Sequence, residues 1–206
     1  MELRDALSQI TEIRLQLART EVFRGYRALP AAFSGLLALA AAGIQALAVP
    51  EPLQQLEAYL TLWIGAALVS GGSAVFEMLI RARNAHSPLT RELTTLALGQ
   101  FCPATVAGAL LTVVIVRSAP QSIWMLPGLW QILYSLGIFA SCRLLPRPMF
   151  GIAAFYLVSG LGSLTLAQGP HALSPWVMGL PFGIGQLLAA SVLHYALERE
   201  HDAFTL

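Results

Sequence analysis

From Ala28 to Leu197 the chain carries almost no charge, and that feature restricts most what it can fold into. Between Ala28 and Ile80 the only charged residues are Glu51, Glu57 and Glu77. From Leu93 to Cys142 there is only Arg117, and from Leu144 to Leu197 only Arg147. A water-soluble domain carries roughly 25% charged residues; here the share is 11%, against 56% apolar. So few charges cannot cover a water-facing surface. A soluble helical domain built from this sequence would need buried helices with hardly any polar outer face, and helices apolar all round belong to a core or a membrane.

A membrane span needs about 20 consecutive apolar residues. Reading the apolar runs against their breakers predicts six spans, at 29–49, 56–80, 94–116, 122–144, 149–168 and 175–197. The breakers are "AVPEPLQQ", "RARNAHSPLTRE", "RSAPQS", "RLLPRPM" and "QGPHALSP", each a cluster of proline and polar residues of the kind that ends a helix. The expected fold is all-α, a polytopic six-transmembrane helical bundle with a cytoplasmic amphipathic helix at its N-terminus. The expected organisation is residues 1–27 for that helix, 28–197 for the bundle and 198–206 for a short cytoplasmic tail. "AAF" recurs at 31–33 and 153–155, but the residues that follow do not align. An inverted repeat of three spans plus three is topologically possible and has no support in the sequence.

All twelve basic residues are arginine. Arg4, Arg14, Arg19, Arg24 and Arg27 precede the first span, and Arg81, Arg83 and Arg91 follow the second. Arg143 and Arg147 follow the fourth, and Arg199 the sixth. These are alternate sides of an even-numbered bundle and hold every arginine except Arg117. The positive-inside bias therefore places both termini in the cytoplasm, and the brevity of the chain with its arginine-only basic composition points to a cell inner membrane of the bacterial type. "LLALAAAGIQALAVPEP" resembles a signal-peptide core with an A-x-A site at Ala46 and Ala48. The 27 residues of mixed charge before it do not suit a secretory leader, so it reads as a retained first span. Cys102 and Cys142 fall on the cytoplasmic side and are expected as free thiols.

In residues 1–27, Leu3, Leu7, Ile10, Leu17 and Phe23 recur near helical spacing among charged residues. This amphipathic segment suits two roles. It can lie on the inner leaflet, with Arg14, Arg19, Arg24 and Arg27 at the headgroups and Phe23 and Tyr26 at the interface. It can instead contact a cytoplasmic protein partner, or its copy in a homodimer. The heptads are too short and too interrupted for a coiled coil.

Within the bundle, steps of three and four residues place Ala66, Ser70, Ser73, Glu77 and Arg81 on one face of span two. Span six carries Gly179, Gly183, Gln186, Ala190 and His194 on one face. Small residues let membrane helices approach closely, so both faces are expected against protein. If the two spans touch, Glu77 and His194 meet at one depth and form a proton, ion or ligand site, since histidine titrates near neutrality. The competing reading is structural: Glu77 and Arg81 pair along their own helix and reach the interface together. Seams in the other spans hold Ser34, Ala38, Ala41 and Gln45; Gln100, Ala104 and Ala107, with Pro103 as a kink; Gly128, Gln131 and Ser135; and Tyr156, Gly160 and Ser163. Gln100, Gln131 and Gln186 join Glu77, Arg81 and His194 as candidate ligand or proton-site residues.

Other chemistry finds little support. His194, Glu198 and His201 share a face in an H-x-x-x-E-x-x-H spacing, which is not the H-E-x-x-H pattern of a catalytic metal site. "VSGLGSL" lacks the G-x-S-x-G elbow. No phosphate-binding or dinucleotide fingerprint occurs, so no cofactor is expected. The arginines sit where membrane orientation explains them, so no nucleic acid is expected either. The sequence thus points away from an enzyme. It points first to a binding or regulatory module that holds a lipid, small ligand or partner within the bilayer. The second expectation is a small-solute or ion transporter, or the membrane substrate-binding subunit of one, using Glu77 and His194. In size and span number the chain is similar to the substrate-binding subunits of vitamin importers, a likeness of architecture alone.

Overall fold

Proline decides where several of the helices begin. The computed structural model describes residues 28–84, 88–167 and 169–198. Residues 1–27, with the amphipathic helix and the arginines and aromatics expected to act there, lie outside the described residues, as does the tail from 199 onward. Helix α1 spans Ala28–Ala48, α2 Leu56–Asn84, α3 Pro88–Ser118, α4 Leu126–Ser141, α5 Met149–Leu166 and α6 Pro175–Leu193. A 3-10 segment, Pro120–Met125, leads into α4, and one π turn, His194–Glu198, continues α6. Pro88 and Pro175 are the first residues of α3 and α6, where the missing N–H costs nothing.

All six helices are long and apolar enough to cross a membrane, counting the 3-10 segment with α4. The six expected spans are therefore present, and among the described residues the fold is all-helical. Two of the helices overrun their apolar segments. Helix α2 continues through Arg81 and Arg83 to Asn84, and α3 starts at Pro88, so "RARNAHSPLTRE" is mostly helix. Arginine and glutamate are good helix formers; the charge ends the apolar run without ending the helix.

The helices alternate in direction. On α1 and α6, Gly35 lies against Gly183 and Leu187 while Ala42 lies against Gly179, so the two run antiparallel. The start of α1 and the finish of α6 share one end of the bundle, called here the near end. The α1–α2, α3–α4 and α5–α6 connections lie at the opposite, far end. Each helix packs on its sequence neighbours, and the α1–α6 pair, the most extensive of all, closes the ring.

Glycines set the closest approaches. A Cβ on Gly128 would lie 2.8 Å from the Gly160 carbonyl oxygen, and a Cβ on Gly160 would lie 2.8 Å from that of Gly128, so α4 and α5 meet backbone to backbone. On α6, Gly179 abuts Ala42 and Gly183 abuts Leu39, both on α1. In lipid there is no water to expel between helices, so such close packing supplies much of the association energy. Helices α4 and α6 are the most enclosed, and α2 is the most exposed.

The α4–α5 connection turns inward at the near end. Leu144 and Leu145 are both buried, Leu144 with Met78 and Ala97 and Leu145 with Ile138, Met149 and Leu193. One short loop thus plugs the near end, tying α2 and α3 on one side to α5 and α6 on the other. Arg143 and Arg147, flanking the two leucines, stay exposed.

Candidate functional site

The polar groups of the interior fall in two layers and a corner. In the far half, Gln45 of α1 is fully buried. Its Nε2 donates to the Leu173 carbonyl at 2.7 Å, and its Oε1 accepts from Trp63 Nε1 at 2.7 Å. One side chain therefore joins α1, α2 and the α5–α6 connection. The cluster around it includes Ala41, Ala42, Tyr59, Trp63, Ile123, Leu126 and Met178. Tyr59 is fully buried in this cluster and its hydroxyl has no hydrogen-bond partner.

The middle layer is organised by a proline. Pro181 lies inside α6 and has no N–H, so the carbonyl four residues earlier, on Val177, loses its helical donor. Gln131 of α4 supplies the replacement, with Nε2 donating to the Val177 carbonyl at 2.9 Å and to Ser163 Oγ at 3.3 Å. Gln131 Oε1 is buried and has no partner. One helical turn nearer the plug, Ser135 Oγ donates to the Ala153 carbonyl of α5 at 2.7 Å.

Beside it stands an aromatic group centred on Tyr134. Its ring centroid lies 5.3, 4.9 and 5.4 Å from those of Phe101, Tyr156 and Phe182, all edge-on, the arrangement the ring quadrupoles prefer. Gln186 Nε2 donates to the Tyr134 hydroxyl. Tyr156 OH points at the Phe182 carbonyl at 3.5 Å. Gly185 makes room for Tyr156, because a Cβ there would collide with the phenol. On α3, Gln100 Oε1 is buried without a partner, while Thr112 accepts from Trp130 Nε1 at 2.8 Å.

Helix α2 differs from the rest. Tyr59 and Trp63 are buried near its far end, and Met78 and Ala82 near its other end, but from Ile64 to Glu77 no residue is buried. A Cβ on Gly65, Gly71 or Gly72 would meet nothing within 4 Å. The helix is held at both ends and stands off in the middle. Its face of Ala66, Ser70, Ser73 and Glu77 is only half-buried, so the close protein packing expected for that seam stops at Ala66, which packs on the far cluster.

Glu77 bonds Arg81 along its own helix, with Nε and Nη2 both donating to Glu77 Oε1 at 2.9 and 2.5 Å. The side chains keep 29% of the surface of Glu77 and 39% of that of Arg81 exposed, so the pair sits at the protein's edge rather than within it. His194 is exposed at the start of the π turn, its ring edge-on to Tyr195. Helix α2 packs on α1 and α3, whereas α6 packs on α1, α5 and, slightly, α4. Glu77 and His194 are therefore not hydrogen-bonded to each other. The face of α6 that holds Gly179, Gly183 and Gln186 finds its mate in α1, whose seam of Gly35, Ala38, Ala42 and Gln45 is buried.

Of the six candidate residues in the bundle, Gln131 and Gln186 join one layer, Glu77 pairs with Arg81, Gln100 stands on α3, and His194 lies at the near end. Trp63, Tyr134 and the Val177 carbonyl were not among the expected partners. The signal for the last was Pro181, since a proline within a span always leaves one carbonyl to be satisfied.

At the far end the three connections enclose an open groove of about 470 Å³ lined by Leu53, Pro120, Gln121, Ile123, Trp124 and Gly169. It offers an indole and one amide and no charge. Comparison with protein-family models, curated proteins and solved structures finds no match for the chain. The geometry alone carries the functional reading.

Proposed function

We propose that the chain is a multi-pass inner-membrane protein with both termini in the cytoplasm, acting as a non-enzymatic binding module. It holds a lipid, small ligand or partner within the bilayer and presents residues 1–27 to the cytoplasm. The observation that carries this reading is how the interior amides are used. Gln45, Gln131 and Gln186 each hold helices together or repair a helix, and Glu77 is neutralised by Arg81. A translocation path needs polar groups free to exchange partners with a cargo, and these are engaged. What stays available is the surface: the stand-off along α2, the exposed arginines of the near end, and the far-end groove.

Two buried carbonyl oxygens without partners, Gln100 Oε1 and Gln131 Oε1, favour the transporter as the second reading. One experiment separates the two. The full chain is reconstituted in nanodiscs and released for native mass spectrometry, beside a form lacking residues 1–27. A retained small molecule or partner, with cellular function lost on deletion of 1–27, supports the module. Solute flux in proteoliposomes that survives the deletion and falls with Gln100→Leu would refute it.

A further inference from the structure

We infer that the near-end corner between α2 and the α4–α5 connection binds one anionic phospholipid, its phosphate held by Arg83 and Arg143. The inference rests on the membrane-module reading above and names its ligand. Leu144 of the connection joins Met78 of α2 and Ala97 of α3 in one apolar cluster, and Ala82, one turn beyond Met78, is also buried. That contact brings Arg143, next to Leu144, and Arg83, next to Ala82, to the same corner. Both side chains are exposed, and neither has an ion pair or hydrogen bond among the described residues. Among the described residues the one carboxylate on this stretch of α2, Glu77, is already bonded to Arg81 and makes no ion pair with the other two arginines. Two guanidiniums offer several N–H donors to a phosphate and carry the charge that selects an anion.

The surface leading away from the corner suits an acyl chain. Phe76, Leu79 and Ile80 are exposed on the last turns of α2 before the arginines, and the helix stands off the body through the residues above them. A free phosphate would use the arginines alone. A phospholipid uses the arginines and the apolar flank together, and in a membrane-spanning helix that flank already faces acyl chains. The plug fixes the backbone next to the corner, because Leu144 and Leu145, the two residues that follow Arg143, are both buried.

The test uses the full chain in nanodiscs made from equal parts of phosphatidylcholine and phosphatidylglycerol, with lipids retained on release counted by native mass spectrometry. The wild-type chain should keep one phosphatidylglycerol and no comparable phosphatidylcholine. Arg83→Gln combined with Arg143→Gln should lower that retention about tenfold or more, since each surface arginine contributes a comparable attraction to anionic lipid. Arg117→Gln, at the far end, should leave it unchanged. Circular dichroism and thermal melting of the double variant should match wild type, which separates lost binding from lost fold. Equal retention by the double variant, equal loss in Arg117→Gln, or equal retention of phosphatidylcholine would overturn the inference. A retained small molecule that is not a lipid would overturn it too while sustaining the module reading, and a wholly empty protein would overturn both.

Discussion

The bond between Gln131 and the Val177 carbonyl can be tested as helix repair by pairing two substitutions. Gln131→Leu removes the amide that donates to Val177, and Pro181→Ala restores the N–H that the helix lacks. The single change Gln131→Leu is hard to interpret alone, because it also removes Oε1, a buried acceptor without a partner, and that removal is favourable. The double-mutant cycle cancels this part, since Oε1 is lost in both backgrounds. What remains is the difference between a carbonyl that has another donor and one that has none. Hydrogen bonds between membrane helices average about 0.6 kcal/mol and reach about 1.7. This acceptor is buried and without a helical donor, so the expected coupling lies in the upper part of that range, about 1–1.5 kcal/mol. Gln131→Leu should therefore cost less in the Pro181→Ala background than in wild type by that amount. The assay is reversible unfolding of the reconstituted protein, by steric trapping or by denaturing detergent, on all four chains. Independent sites add to within about 0.3–0.5 kcal/mol. A coupling inside that band would refute the repair argument and leave Gln131 as an ordinary packing residue.

The same assay reads four further substitutions, and thiol labelling reads the pKa of Cys142. Gly179→Val must push α1 from α6 at Ala42, so it should cost about 1–3 kcal/mol, whereas Gly71→Val, with open space around it, should cost only about 0.5 kcal/mol or less; equal costs would remove the α1–α6 seam from the account. Trp63→Phe deletes the donor to Gln45 Oε1 and should lower stability by about 1 kcal/mol, and no change would mean that Gln45 is held by Leu173 alone. Glu77→Gln should change stability by less than about 1 kcal/mol, because the ion pair it breaks is partly exposed; a large loss, or loss of a pH-dependent activity, would restore Glu77 as a working acid. Burial raises the pKa of the Cys142 thiol, so less thiolate is present at any given pH. In a Cys102→Ser background its maleimide labelling should keep accelerating above the pH of about 8.5 at which an ordinary thiol is half ionised, and a rate that levels off at or below that pH would refute the shift.

What the sequence made legible follows from one-dimensional physics. Charge scarcity and proline clusters locate six apolar helices, because span length and turn chemistry are local properties. The seams of spans one, four, five and six are legible too, since Ala38, Gln45, Gln131, Gly160, Gly179 and Gln186 are all buried, whereas the expected seam of Gln100, Ala104 and Ala107 on α3 is not, Ala107 being exposed. Which seam meets which is not local. Periodicity gave spans two and six similar polar stripes, but a stripe states only that a face seeks protein, and α6 has its most extensive partner in α1. Glycine spacing could have separated the two. Gly179 and Gly183 lie four apart on one face and meet the small residues of α1, whereas around Gly65, Gly71 and Gly72 of α2 the space is open. A glycine becomes a packing device only when a partner fills the place of its side chain, as Ala42 and Leu39 of α1 do for Gly179 and Gly183. The "RLLPRP" loop escaped for a different reason. Its arginines and prolines mark a turn, and nothing local says that the two leucines between them fold back into the bundle. Leu144 and Leu145 are buried in clusters with Met78, Ala97, Ile138, Met149 and Leu193, residues of five different helices that come together only once the bundle is assembled.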